Sequence, residues 1–223
     1  MIYEGDNAIA LFDVLGFREL VKTSQTSELP NLLSTFEKMS DASLPDSSAI
    51  GTALFSDTIV LYGTSAVADL DRIMVVIAAS NLLGAATRVG IPIRGALSFG
   101  HMYIDSVNER IVGPPMVSAY ELEQQQEWMG AIVDPAHADR YQQSIQHGPV
   151  REFVVKYRAP MKSGQRSVYL CVGWTFRIGQ RDQITQAFKD AELRHDSYRK
   201  YKNTLEFYDS GVDRESDTAR KFF

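Results

Sequence analysis

A single cysteine, Cys171, in 223 residues leaves no partner for an intramolecular disulfide. It lies in a predicted strand, Val168-Tyr-Leu-Cys-Val-Gly173, and is expected to be an inert buried residue. Positive charge is also short. Lys and Arg number 23 against 28 Asp and Glu, a net charge of −5, so the chain has no basic footprint for nucleic acid. The four histidines, His101 and His137 among them, show no paired spacing of the kind zinc requires. No stretch reaches about 18 uninterrupted apolar residues, and Met1-Ile-Tyr-Glu-Gly-Asp6 lacks a basic segment followed by an apolar run. The expectation is a cytoplasmic protein without a membrane partner. No Gly-, Ser- or Pro-rich linker divides the chain. One domain is expected over residues 1–208, with a core at about 7–134, a C-terminal extension at 150–208 and a polar tail at 209–223.

The hydrophobic content, 44%, is ample for one packed core. Periodicity predicts a strand at 7–15, with Gly16 turning the chain into a short amphipathic stretch through Phe17, Leu20 and Val21. A polar break at Thr23–Ser27 and Pro30 precedes a helix through Leu32, Leu33, Phe36 and Met39. Residues 51–56 and 58–62 form a tight hairpin with Asp57 at or beside its tip. A long helix from Asp69 to Val89, apolar on most sides, ends at Gly90 and Pro92. A strand at 93–100 leads to a hairpin around Asp105–Glu109. Pro114 and Pro115 suit the first turn of a helix reaching about Trp128. Beyond it come a strand at 131–133, a helix near 135–144, strands at about 152–157 and 167–174, and one charged helix from about Gln183 to Tyr208. The tail from Asp209 to Lys221 is polar. Trp128 and Trp174 are expected to be packing residues. The order strand, helix, strand, strand, helix, strand is the split βαβ arrangement of an α+β protein. Its helices are expected on one face, leaving the other for a ligand or second subunit, with the first and second strands side by side.

Two aspartates carry the chemistry. Asp13 ends an apolar strand and Asp57 stands between two apolar runs. A carboxylate at such a place costs several kcal/mol unless neutralised, so two of them converging imply a bound cation. Two carboxylates with a main-chain carbonyl, that of Val14, suit Mg²⁺ or Mn²⁺, which keep positions for water and phosphate oxygens. Gly16 lets the chain turn directly after Asp13, and the amides of Leu15, Gly16 and Phe17 at a helix start would face a phosphate. Asp is also common as a helix cap and in hairpin turns, and taken singly each residue fits that simpler role.

Asp13-Val-Leu-Gly-Phe17 resembles the metal-binding signature Asp-Ile-x-Gly-Phe of class III nucleotidyl cyclases, and Asp57 falls where their hairpin carries a second metal-binding Asp. Arg94-Gly-Ala-Leu-Ser-Phe-Gly100 is similar to their Arg-x-Gly-Ile-x-x-Gly strand. Gly113-Pro-Pro-Met-Val-Ser-Ala-Tyr-Glu-Leu122 is similar, in a degenerate form, to Gly-Asp-x-Val-Asn-x-Ala-x-Arg-Leu. The likeness covers about residues 7 to 134. It implies two divalent cations at Asp13 and Asp57, a ribonucleoside triphosphate substrate, and a head-to-tail homodimer whose sites draw on both chains.

The departures bear on substrate. Ala53 stands where adenylyl cyclases place an adenine-reading Lys, and Arg110 where they place an adenine-reading Asp. Losing both argues against ATP. Arg110, a pure donor, suits the acceptor edge of a pyrimidine. Val117 and Glu121 replace the Asn and Arg that stabilise the transition state, so another cation must serve, with Arg94 the first candidate and Arg18 the next. Compact chains with Phe-Asp-Val-Leu-Gly-Phe, a Ser-Asp hairpin and Ala-Tyr-Glu-Leu-Glu most resemble the pyrimidine cyclases of the bacterial Pycsar antiphage system. That resemblance implies cyclisation of UTP, with CTP second, to a 3′,5′-cyclic messenger read by a separate effector with a cyclic-nucleotide-binding module. The loss of Asn and Arg keeps a silent nucleotide sensor or dimerisation module open as the alternative.

Overall fold

A computed structural model describes residues 2–23, 29–41, 44, 49–65, 67–108, 110–145, 151–178, 180–190 and 195–220. Strand β1 (Ile2–Val14) leads into α1 (Phe17–Thr23) and α2 (Leu29–Asp41). The hairpin β2 (Ile50–Phe55) and β3 (Thr58–Gly63) precedes α3 (Ala68–Arg88), β4 (Ile93–Asp105) and β5 (Arg110–Val112). Then follow α4 (Pro114–Gln124), β6 (Gly130–Val133), α5 (Ala138–Ile145), β7 (Val154–Pro160), β8 (Arg166–Val172), α6 (Asp182–Asp190) and α7 (His195–Arg220). Residues 24–27 of the expected polar break lie outside the described residues, while Thr23 ends α1 and Pro30 stands in the first turn of α2.

Among the described residues, eight strands form one sheet in the order β2-β3-β1-β4-β6-β8-β7, with β5 hydrogen-bonded to β4. The first four positions, β2-β3-β1-β4, are the antiparallel split βαβ core; β6 joins β4 in parallel, and β8 and β7 extend the sheet further. The fold is therefore the expected α+β core with added C-terminal strands and helices. Three expectations need correction. β1 lies beside β3, not β2, because the split βαβ order inserts the second arm of the hairpin between them. The charged C-terminal stretch is two helices, and α7 continues to Arg220 through most of the expected tail.

The third correction concerns the helices, which cover both faces. Alternate β1 residues point to opposite sides. Ala8, Ala10, Phe12 and Val14 enter the main core with α3, whereas Ile9 and Leu11 face the other side, where Ala119 of α4 packs with Leu11 and Ala96. Helix α3 is long and apolar enough to cross a membrane, yet it is mostly buried against β1, β3, α5 and α6. Asp69 and Asp71 in its first turn and Arg88 in its last complement the helix dipole. Cys171, Trp128 and Trp174 are fully buried, as the packing reading expects.

Candidate active site

The apolar run of β1 ends at Asp13 because the next residues must leave the sheet. Gly16, at φ 83°, takes a left-handed conformation that side chains disfavour, and α1 begins at Phe17. The β2–β3 hairpin closes over Ser56 and Asp57, with Phe55 paired to Thr58. Since Thr58 also pairs with Asp13, the hairpin tip hangs over the end of β1. The Val14 amide donates to the Asp57 carbonyl at 3.2 Å, fastening tip to strand.

This register brings the Asp57 carboxyl within hydrogen-bonding reach of the Asp13 carboxyl. Burial, then the charges of Glu123 and Asp57, push Asp13 up to about 7, against the opposing pull of Arg94. Two carboxyls in contact can be relieved by a shared proton or a cation. Hard oxygen donors that repel one another at the partly open rim of a sheet fit a divalent cation. No group of three or more His, Cys, Asp or Glu side chains suited to enclosing a metal ion occurs among the described residues. The pair thus suits ions that keep waters and take substrate oxygens, and does not resemble a closed protein cage.

Arg94, opposite Asp13 in the β1–β4 register, is buried. Its Nη2 lies 3.9 Å from Asp13 Oδ2, but its main partner is Glu123 of α4, which it meets in an ion pair and through Nε at 2.5 Å. Its Nη1 donates to the Gln126 carbonyl at 2.7 Å. Such a guanidinium is held in place and has little freedom to follow a moving phosphoryl group.

The remaining expected residues divide. Val14 and Leu15 are buried beside Asp13, with Gly16 and Phe17 partly so, but the Leu15 amide donates to the Pro92 carbonyl at 2.9 Å and so is already engaged. Arg18 is exposed at the start of α1. Ala53 lies half-buried on β2 against the outer-face cluster of Ile9, Val60 and Tyr62. Arg110 is exposed and pairs with Asp105, which pairs with Ile2 at the far end of β1. At about 3.3 Å per strand residue, Arg110 stands roughly 36 Å from Asp13 along the sheet. One chain does not bring these two together. Val117 and Glu121 are exposed on α4.

Glu123 escaped the sequence reading. Its signal was spacing: Pro115, Ala119 and Glu123 recur every four residues and form the buried stripe of α4, so one of the two glutamates in Ala119-Tyr-Glu-Leu-Glu123 had to point inward.

No protein-family model and no curated protein matches the sequence. Solved structures do match. The adenylyl cyclase CyaB from P. aeruginosa is similar at TM-score 0.55 and 17% identity, over 82% of this chain and 98% of that one. The monomeric guanylyl cyclase domain of the RhoGC fusion protein from the aquatic fungus Blastocladiella emersonii is similar at 0.54 and 14% identity, over 78% and 97%. The guanylate cyclase domain of RhGC from Catenaria anguillulae, in complex with GTP, is similar at 0.52 and 14% identity, over 78% and 99%. With its sheet order, its helices and its coverage of these domains almost end to end, the chain has the fold of the class III nucleotidyl cyclase catalytic domain.

Proposed function

We propose that this protein is a nucleotidyl cyclase that converts a pyrimidine ribonucleoside triphosphate, UTP before CTP, into its 3′,5′-cyclic monophosphate and pyrophosphate. The observation that carries the proposal is the meeting of the Asp13 and Asp57 carboxyls at the rim of the sheet. Simple helix-capping and turn roles would not require them to touch. In this reading Asp13, Asp57 and the Val14 carbonyl hold two divalent cations, Mg²⁺ or Mn²⁺. When bound, these supply charge neutralisation at the triphosphate and acidify the ribose 3′ hydroxyl. The chain's own task is placement. Gly16 and the Gly16 and Phe17 amides bring the backbone close to the phosphates, and the fixed hairpin tip keeps both carboxylates on one side of the α-phosphorus. The 3′ oxygen then attacks in line and pyrophosphate leaves. Nucleophile and electrophile belong to one molecule, so orientation supplies much of the rate.

The pyrimidine assignment rests on Ala53 and Arg110, where adenine readers are missing. The separation of Arg110 from Asp13 supports a head-to-tail homodimer in which Arg110 of one copy faces the base held by the other. The product would act in the cytoplasm on a separate cyclic-nucleotide-binding effector during phage infection. Arg94 enters this reading as a buried cation beside Asp13 and not as a phosphoryl contact, since its guanidinium is committed to Glu123.

The test is incubation with each ribonucleoside triphosphate and Mn²⁺, followed by mass detection of cyclic products. A cyclic pyrimidine product that disappears in Asp57→Ala supports the proposal. Preference for ATP or GTP overturns the base assignment. The exposed Val117 and Glu121 favour one other reading, a silent nucleotide sensor, which predicts tight binding and no product with any nucleotide.

A further inference from the structure

Beside the aspartate pair lies a third acid, Glu123, that is completely buried and held by Arg94. Arg94 reaches it with Nε and Nη2, and gives Nη1 to the Gln126 carbonyl. Gln126 is locked in turn. Its Nε2 donates to the Gly95 carbonyl at 2.7 Å, and its Oε1 accepts from the Trp128 indole at 2.9 Å. Gln124 donates to the other Glu123 oxygen at 2.7 Å. The guanidinium is therefore turned towards α4, and only one edge faces Asp13, at a distance of 3.9 Å.

We propose that Glu123 is a positioning residue for the Asp13–Asp57 pair: by holding and neutralising Arg94, it keeps that cation from closing onto Asp13 and preserves the pair's double negative charge for a divalent cation. The inference rests on the reading of the two aspartates as cation ligands. The charge count makes the point. Once a dication displaces the proton that the crowded pair can share, Asp13, Asp57 and Glu123 bring three negative charges and Arg94 one positive, leaving two to face the dication. Without Glu123, Arg94 would have one carboxylate left in reach, that of Asp13, and would compete with the cation for it. Lys162, in the turn between β7 and β8, is a further cation felt by Glu123, but it is exposed, so water screens much of its charge. Because Glu123 belongs to α4 and Asp13 to β1, the arrangement ties the charge of the site to the seating of α4 on the face of the sheet that Asp13 shares with Leu11.

The experiment is Mn²⁺ binding to the full chain by calorimetry and by the loss of the free-ion paramagnetic resonance signal, with thermal melting as the control for folding. Wild type should bind Mn²⁺ and Asp57→Ala should not; if wild type does not bind, the cation-site reading itself fails, whatever Glu123 does. Given binding, Glu123→Gln keeps the shape but not the charge and should weaken Mn²⁺ affinity by about 10–100-fold, the range for partners behind a metal ligand. The double variant Arg94→Met with Glu123→Leu removes both charges and should bind within about threefold of wild type, since an apolar pair can replace a buried ion pair without unfolding the chain. Wild-type affinity in Glu123→Gln, or affinity in the double variant as weak as in the single one, would overturn the inference. If Glu123→Gln fails to fold, the double variant decides alone: near wild-type affinity supports the inference and weak binding refutes it.

Discussion

Ser56 is the non-glycine residue with positive φ, 59°, among those described, and it immediately precedes Asp57 at the hairpin tip. A side chain in the left-handed region costs roughly 1–2 kcal/mol, and the tip tolerates it because both arms of the hairpin are paired and the tip is fastened to Val14. Ser56→Gly is expected to relieve the strain and stabilise the fold by about 1 kcal/mol, raising the melting temperature by about 2–4 °C for a chain of this size. Asp71 presents a different residue-scale cost. It is fully buried at the start of α3, with one oxygen accepting from the Ser65 amide at 2.8 Å and Oδ2 without a hydrogen-bond partner. Burial pushes it up to about 6 from an ordinary 3.8, against the Ser65 bond and Arg72. The folded state thus binds a proton that the unfolded state has released between about pH 4 and 6, so stability contributed by this group falls as pH rises through that window and the loss is complete above it. Asp71→Asn should remove that part of the decline, on the order of 1–3 kcal/mol, as measured by denaturant titrations at pH 4.5 and 7.5.

At the level of elements, the C-terminal helix is a buttress for the loop that ends α4. Phe207 of α7 packs edge-on against Trp128, with ring centroids 4.7 Å apart, and against Tyr157 at 4.9 Å. Thr204 accepts the Met129 amide at 2.8 Å, and Asn203 donates to the Glu127 carbonyl at 2.7 Å. These contacts hold the segment that includes Gln126, and through it Arg94. Phe207→Ala is expected to cost about 3–5 kcal/mol by opening a cavity under Trp128, seen as a lower midpoint in chemical denaturation. Element identity was largely legible in the sequence because it is a matter of local spacing. The hairpin over Asp57, the prolines at the start of α4 and the apolar length of α3 were each readable from neighbouring residues. That α6 and α7 are separate helices was missed because a charged stretch carries helical propensity throughout. The inward direction of Glu123 was missed because only the packing of α4 on β1 and β4 tells which of two acidic positions, Glu121 or Glu123, is buried.

For the whole molecule, the main consequence is distance. Asp13 and Asp57 meet at one end of β1, while Arg110 is placed at the other. The outer surface near α4 exposes Val112, Val117 and Tyr120. If two copies pair head to tail, mixing Asp57→Ala with Arg110→Ala should restore activity that neither variant has alone. Random pairing puts one intact site in half of the dimers, so about a quarter of wild-type turnover is expected. Turnover of the mixture no higher than that of the separate variants would show that Arg110 does not serve a neighbouring copy.

The sequence by itself determined the α+β class and the split βαβ order, and it singled out the two aspartates as candidates, because strand and helix periodicities, glycine turns and a charge among apolar residues are local signals. The neighbour of β1 followed from that order and was misread, whereas the sequence could not determine that helices cover both faces or that Arg94 is already spoken for by Glu123. Those depend on contacts between residues far apart in the chain, such as Arg94 with Glu123 and Asp13 with Asp57, and such contacts exist only once the sheet has been assembled and α4 has settled against it.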